Sequence, residues 1–264
     1  MVDPNDLKEI LYNISKKIIV PSFGNITSNQ ISYKNEKDIV TEIDIAVELE
    51  LSMSLQKLVK NANFVGEEVY AKNPSILKNY LLDNFCWTVD PIDGTSNFAK
   101  SKDRFAVMVA LTKNKKILQS FIYKPITEEF MYADNSATFL NNKKIKLNKN
   151  TEIENSIGSI STKYWDEDKK IKLLAIKEKF RNINSYGSIG CEYFDIALGK
   201  RDFALLSRLH PWDHIPGVFI VRQAGGHDCH FNKIKYKFYD NSKNLVVSNS
   251  QKLSNEILNL IGEK

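Results

Sequence analysis

Residues 87–100 read WTVDPIDGTSNFAK. An apolar run, FCWTV (85–89), leads into Asp90, Pro91, Ile92 and Asp93, and then into Gly94, Thr95, Ser96 and Asn97. The run has the length and composition of a buried strand, and the polar tail that of the loop leaving it. Two ionised carboxylates cannot be buried close together without a cation, because each disfavours ionisation of the other. Pro91 fixes one backbone torsion and removes a donor. The turn it makes can aim Asp90, Asp93 and the Ile92 carbonyl into one space. An all-oxygen set of this kind suits a hard cation, Mg²⁺ above all. Gly94 lets the backbone approach a ligand closely, and a helical turn opening at Gly94 and Thr95 would point amides at an anion. Metal ligands and a phosphate cradle thus stand side by side. The plain alternative is an Asp-Pro turn that caps a helix.

Other acids stand at element ends, where function commonly sits. Glu67 and Glu68 close the strand-like NFVGEE (63–68). Asp44 lies early in a helix expected from Thr41, with Ala46, Leu49, Met53 and Leu58 among its apolar positions. Asp213 opens a further helix after Trp212. No Cys/His cluster suits zinc. Of the four histidines (210, 214, 227 and 230), His227 and His230 are expected on the surface or in a loop.

Asp3 caps an expected first helix, with Pro4 in its first turn and Leu7, Ile10, Leu11, Ile14 and Ile18 at helical spacing. The polar stretch 25–38, which holds Lys34 and Lys37, reads as a loop. Strands are expected over 106–111, 117–123 and 129–133, with a turn at 113–115 that implies an antiparallel meander. From Thr151 strands and helices alternate: strand 156–161, helices 167–180 and 189–199, strand 202–206, helix 213–223, strand 244–248 and helix 251–261. The chain therefore reads as an N-terminal α+β lobe (1–150) carrying most of the acids and a C-terminal α/β lobe (151–264) completing the site and the pocket.

A chain of 264 residues suits one large domain or two joined lobes. Its net charge of +5, with 37 basic and 32 acidic side chains interleaved, is a mild bias that suits an anionic small molecule or simply an ordinary solvated lysine-rich surface, and it gives little support to nucleic-acid binding. Three sparse cysteines, Cys86, Cys191 and Cys229, argue for a reducing compartment. The first residues begin acidic, without a signal-peptide layout, and no apolar run is long enough to span a bilayer. The expectation is a soluble, cytoplasmic protein with no membrane contact.

DPIDGTSNFAKSKDRFAVMVAL (90–111) resembles the first signature of the inositol monophosphatase family, and HPWDHIPGVFIVRQAGG (210–226) its second. DIVTEID (38–44) and FVGEE (64–68) match two further family blocks, in the family's order. The resemblance covers about residues 5–260. It implies a layered αβαβα sandwich, a Mg²⁺-dependent and lithium-sensitive phosphatase, a small phosphorylated metabolite as substrate and a homodimer. It further implies that Glu67, Asp90, the Ile92 carbonyl, Asp93 and Asp213 bind two or three Mg²⁺. Gly94, Thr95 and Ser96 would hold the phosphate. Asp44 and Thr95, with Glu67, would activate water. Glu68 and Trp212 would support the site from behind.

The chain departs from the family on the substrate side. Inositol-preferring members carry a glutamate where this chain has Leu206, which accepts no hydrogen bond. Arg208 and His210 lie nearby and suit a second anion, while Gly187 and Ser188 are expected to line the pocket. Inositol phosphate, sugar bisphosphate, histidinol phosphate and adenosine 3′,5′-bisphosphate all remain open as substrates. A binding module contacting RNA or the transcription machinery is the alternative of another class.

Overall fold

In a computed structural model, every residue is described except Glu36, Lys37, Lys149, Thr162, Asn241, Glu263 and Lys264. Helix α1 (Pro4–Ile14) starts on the Asp3 side chain, which accepts the Asn5 amide at 2.8 Å. It continues through a π-helical turn, Ser15–Ile19, into α2 (Val20–Ser22). Strands β1 (Ile31–Asn35) and β2 (Asp38–Thr41) then pair antiparallel. This corrects part of the loop expected over 25–38: residues 31–35 and Asp38 belong to strands, while Lys37 is outside the described residues.

Helix α3 (Glu42–Leu58) begins at Thr41 as expected. Its buried stripe, however, is Ile43, Val47, Leu51 and Leu55, while Leu49 and Met53 are 59% and 47% exposed. Both sets share the helical spacing, so only the packing partner selects the face. Strand β3 (Asn63–Gly66) leads into α4 (Glu67–Lys72), so Glu67 and Glu68 open a helix and do not end the strand. Strand β4 (Phe85–Asp93) and α5 (Thr95–Ala99) follow. Strands β5 (Ala106–Lys113), β6 (Lys116–Lys124) and β7 (Glu129–Ala133) form the expected meander. The β5–β6 turn has positive φ at Asn114 (50°) and Lys115 (59°), the pairing that matches strand twist in a two-residue hairpin. Short strands β8 (Thr138–Leu140) and β9 (Lys143–Ile145) extend it.

The second half holds β10 (Ile157–Ile160), α6 (Glu167–Ala175), β11 (Asn182–Ile183), α7 (Ile189–Ala197), β12 (Phe203–Leu206) and α8 (Pro211–Ala224). Strands β13 (His227–His230) and β14 (Leu245–Ser248) and helix α9 (Gln251–Leu260) complete it. Three expectations are corrected here. Helix α6 stops at Ala175. Helix α8 opens at Pro211, two residues before the expected Asp213. His227 and His230 belong to a strand, with His230 only 2% exposed.

The strands form a seven-stranded sheet, β3-β4-β5-β6-β7-β8-β9, and a five-stranded sheet, β11-β10-β12-β14-β13. Strand alternation distributes side chains to opposite faces, and that alternation builds five layers. Trp87, Val89, Val107, Val109 and Leu111 face α1 and α3. Cys86, Ala106, Met108 and Ala110 face the other way, onto α7 and α8. Ala204, Leu206, Leu245 and Val247 of the second sheet cover those same helices from beyond. Phe203, Leu205 and Val246 turn outward against α6 and α9. The result is a helix–sheet–helix–sheet–helix sandwich.

Candidate active site

Residues 90 and 93, three apart, would point to opposite faces of a regular strand. A bulge prevents this: Asp90 stands opposite Met108, and Asp93 stands opposite Ala106, so three residue steps on β4 match two on β5. Met108 and Ala106 share the face toward α7 and α8, and the bulge brings both carboxylates to that face while Ile92 packs on the other. The Ile92 amide then donates to Asp90 Oδ1 at 3.1 Å. Gly94 follows with φ +92°, where a Cβ would stand 2.9 Å from Ser188 Cβ and 3.0 Å from the Arg104 carbonyl oxygen. A side chain is excluded twice, by conformation and by space.

Asp93 is held by the start of α7. Ile189 and Gly190 amides donate to its Oδ1 and Oδ2 at 3.0 and 2.7 Å, and the Ser188 hydroxyl donates to Oδ2 as well. Burial pushes its carboxyl up to about 6, against the lowering effect of those donors. Asp44 is the third residue of α3. Its Oδ2 accepts the Thr41 amide (2.8 Å) and hydroxyl (2.5 Å), completing a capping box. Its Oδ1 accepts the Thr95 hydroxyl at 3.0 Å, and that hydroxyl also lies 3.0 Å from the Ile92 carbonyl oxygen. Burial pushes Asp44 up to about 6 too.

A cavity of about 490 Å³ lies where these elements converge. Glu67, Asp90, Ile92, Asp93 and Asp213 line it, as do Gly94, Thr95 and Ser96 and, opposite them, Gly187, Ser188, Leu206 and Arg208. Asp44 touches it through Thr95. Glu68 and Trp212 are both buried and stand behind the wall. Trp212 stacks on His210 at 4.7 Å and meets Tyr70 of α4 at 4.7 Å, which ties the helix of Glu67 to the helix of Asp213.

Among the described residues, no three His, Cys, Asp or Glu side chains stand close enough to enclose a metal ion as they lie. The donor chemistry nevertheless fits a hard cation. The acceptors are carboxylate and carbonyl oxygens, and burial raises the Asp93 carboxyl, a cost that an opposite charge offsets.

Several residues of the site were not singled out in the sequence. Glu48, 3% exposed, accepts the Glu68 and Val69 amides at 2.8 Å each and so caps α4 from α3. Gly66 makes room, since its Cβ would stand 2.4 Å from that carboxylate. Glu192 on α7, also buried, accepts the Tyr186 amide at 2.8 Å and the Ser185 and Ser159 hydroxyls, and it lines the cavity. Burial raises its carboxyl above the usual range. Glu48 follows Asp44 by one helical turn, a spacing that marks it as facing the same way; nothing in the local sequence marks Glu192. Arg208 lies with its guanidinium 3.8 Å from the centre of the Tyr164 ring. His214 donates from Nε2 to the Arg208 carbonyl and accepts the Tyr193 hydroxyl at Nδ1, each at 2.8 Å. The carbonyl can only accept, so this neutral tautomer is the one the pair of bonds requires.

The family model described as "Inositol monophosphatase family" matches residues 7–264. A Thermotoga maritima protein named fructose-1,6-bisphosphatase/inositol-1-monophosphatase is 29% identical over 236 residues, covering 86% of this chain and 87% of that one. An inositol-1-monophosphatase of Bacillus subtilis is 29% identical over 196 residues, covering 73% and 72%. Among solved structures, the Thermotoga maritima IMPase superposes with a TM-score of 0.82 at 25% identity, covering 97% of this chain and 95% of that one. The extragenic suppressor protein suhB of Bartonella henselae gives 0.84 at 22% identity over 97% of each chain, a likeness of fold.

Proposed function

Because the chain belongs to the inositol monophosphatase family and is a phosphatase of that type, we propose that it hydrolyses a small phosphate monoester with Mg²⁺, two or three ions per site. The observation that carries this is the convergence of Glu67, Asp90, Ile92, Asp93 and Asp213 with the Gly94–Ser96 turn on one cavity. Those five residues would hold the ions through oxygen. Bound Mg²⁺ would neutralise the phosphate and lower the pKa of a water. Gly94, Thr95 and Ser96 orient the phosphate for attack in line by water, with no covalent intermediate. Thr95 Oγ1 takes the water's proton as it passes its own to Asp44 Oδ1, 3.0 Å away. A carboxyl raised to about 6 is a base suited to neutral pH. Glu48 sets the start of α4, and with it Glu67. The halves 1–150 and 151–264 act as one unit, since both line the cavity.

The alcohol end of the substrate faces Leu206, Arg208, Gly187 and Ser188. Leu206 cannot bind a hydroxyl, which argues against myo-inositol phosphate as the preferred ester, and Arg208 favours an anionic or planar group. We further propose lithium sensitivity, a cytoplasmic location and a homodimer, in keeping with the family; no helix among the described residues is long and apolar enough to cross a membrane. The test is phosphate release from inositol, sugar, amino-alcohol and nucleoside phosphates, with and without Mg²⁺. Turnover that needs Mg²⁺ and is lost in Asp93→Asn supports the reading. Full turnover with the metal chelated, or in Asp93→Asn, refutes it.

A further inference from the structure

A second cavity of about 740 Å³ adjoins the first and shares Tyr164, Ser207 and Arg208 with it. Its lining is unlike that of the first, which is dominated by carboxylates and hydroxyls. Six rings, those of Tyr70, Tyr80, Tyr164, His210, Phe238 and Tyr239, wall it. Phe238 meets Tyr80 and Tyr239 edge to face, at 5.2 and 5.4 Å. Lys78, Arg208 and Lys243 oppose a single acid, Asp240. The volume is that of a small-molecule pocket. At the junction, Ser207 is 6% exposed and lines both cavities, yet its hydroxyl has no hydrogen-bond partner among the described residues. A buried hydroxyl in that state costs free energy until something polar reaches it. The Arg208 guanidinium carbon stands 3.8 Å from the centre of the Tyr164 ring, and a guanidinium group stacks on aromatic rings.

Resting on the phosphatase reading above, we infer that the second cavity is the leaving-group subsite for phosphate esters whose alcohol carries a planar heteroaromatic ring, with Ser207 and Arg208 meeting the part that crosses between cavities. Rings of the walls stack on it, and the cations meet its acceptor nitrogens. The phosphoryl group stays on the Gly94–Ser96 turn.

Ribose 5-phosphate and adenosine 5′-monophosphate present the same ester without and with such a ring. With Mg²⁺ present, kcat/KM should be about tenfold or more higher for the adenosine ester, the value of one stacked base. Tyr239→Ala and Lys243→Ala, both exposed and lining the second cavity but not the first, should each erase most of that ratio without changing ribose 5-phosphate turnover. A ratio near or below one, or variants that lower both esters alike, overturns the subsite and leaves the phosphatase reading standing. So does hydrolysis of compact sugar or inositol phosphates with neither ribosyl ester turned over. No hydrolysis of any phosphate ester overturns both.

Discussion

Gly217 of α8 lies where Tyr193 of α7 crosses it, and replacing it with alanine should destabilise the protein although alanine is the better helix former. A Cβ there would stand 1.8 Å from Tyr193 Cδ2 and 2.2 Å from Cγ. Carbon atoms rest about 3.5–4.0 Å apart, so the ring would have to retreat by roughly 2 Å. Tyr193 is fully buried, and its hydroxyl is committed to His214 Nδ1 at 2.8 Å. Overpacking of this kind costs about 1–3 kcal/mol. Pulling the hydroxyl off His214 strands two buried polar atoms, at about 1–3 kcal/mol. Helix propensity returns about 1 kcal/mol. The net expectation for Gly217→Ala is a loss of about 1–5 kcal/mol. It should be read as a lower urea midpoint at unchanged slope. In a Tyr193→Phe background the hydrogen bond is already gone, so the Gly217→Ala penalty should shrink by that part. An unchanged or higher midpoint for Gly217→Ala refutes the packing argument. Full additivity with Tyr193→Phe refutes the claim that the ring is driven off His214.

Burial pushes His214 down to about 3, so the unfolded chain binds its proton first as pH falls. Its contribution is present above the ordinary 6.5 and is lost between there and 3, with a slope up to about 1.4 kcal/mol per pH unit. Asp44 and Asp93, raised to about 6, act in the opposite sense over part of that window. The measurement is therefore the wild-type stability curve minus that of His214→Gln, and a difference flat with pH would contradict the assignment. Glu48→Ala uncaps α4 and should cost about 1–3 kcal/mol. It should also weaken thermal stabilisation by added Mg²⁺, because Glu67 loses its fixed start; unchanged Mg²⁺ protection would exclude a positioning role. Leu206→Glu places an acceptor in the cavity wall and should raise kcat/KM for inositol phosphate relative to sugar phosphates. No change in that ratio means that position 206 does not select the alcohol.

The linear chain made much of the site readable because its chemistry is local. Asp90, Pro91, Ile92, Asp93 and Gly94 are consecutive, so their oxygen donors and the glycine turn beside them can be read from neighbouring residues. The Asp3 and Thr41 helix starts were legible for the same reason, since a cap acts within one turn of itself. Readings that required knowing the partner failed. Periodicity offered two apolar faces for α3, and only the sheet chose Ile43, Val47, Leu51 and Leu55 over Leu49 and Met53. The hairpin at 31–41 was hidden by its polarity, and the strand at His227–His230 by its lack of apolar alternation.

By itself, then, the sequence determined the run of oxygen donors at Asp90–Asp93, the glycine turn after it, the meander and the family block order. The tertiary structure decided the rest through contacts across long separations. Asp93 shares a face with Asp90 because β5 opposes a bulge in β4, and its carboxylate is gripped by amides 96 and 97 residues away. Glu48 became part of the site by capping a helix 20 residues on. Ser207 and Arg208 gained a second cavity because Tyr164, Phe238 and Tyr239 were folded against them. Bonding within a turn is written in adjacent residues, whereas burial, face and cavity exist only once distant elements pack.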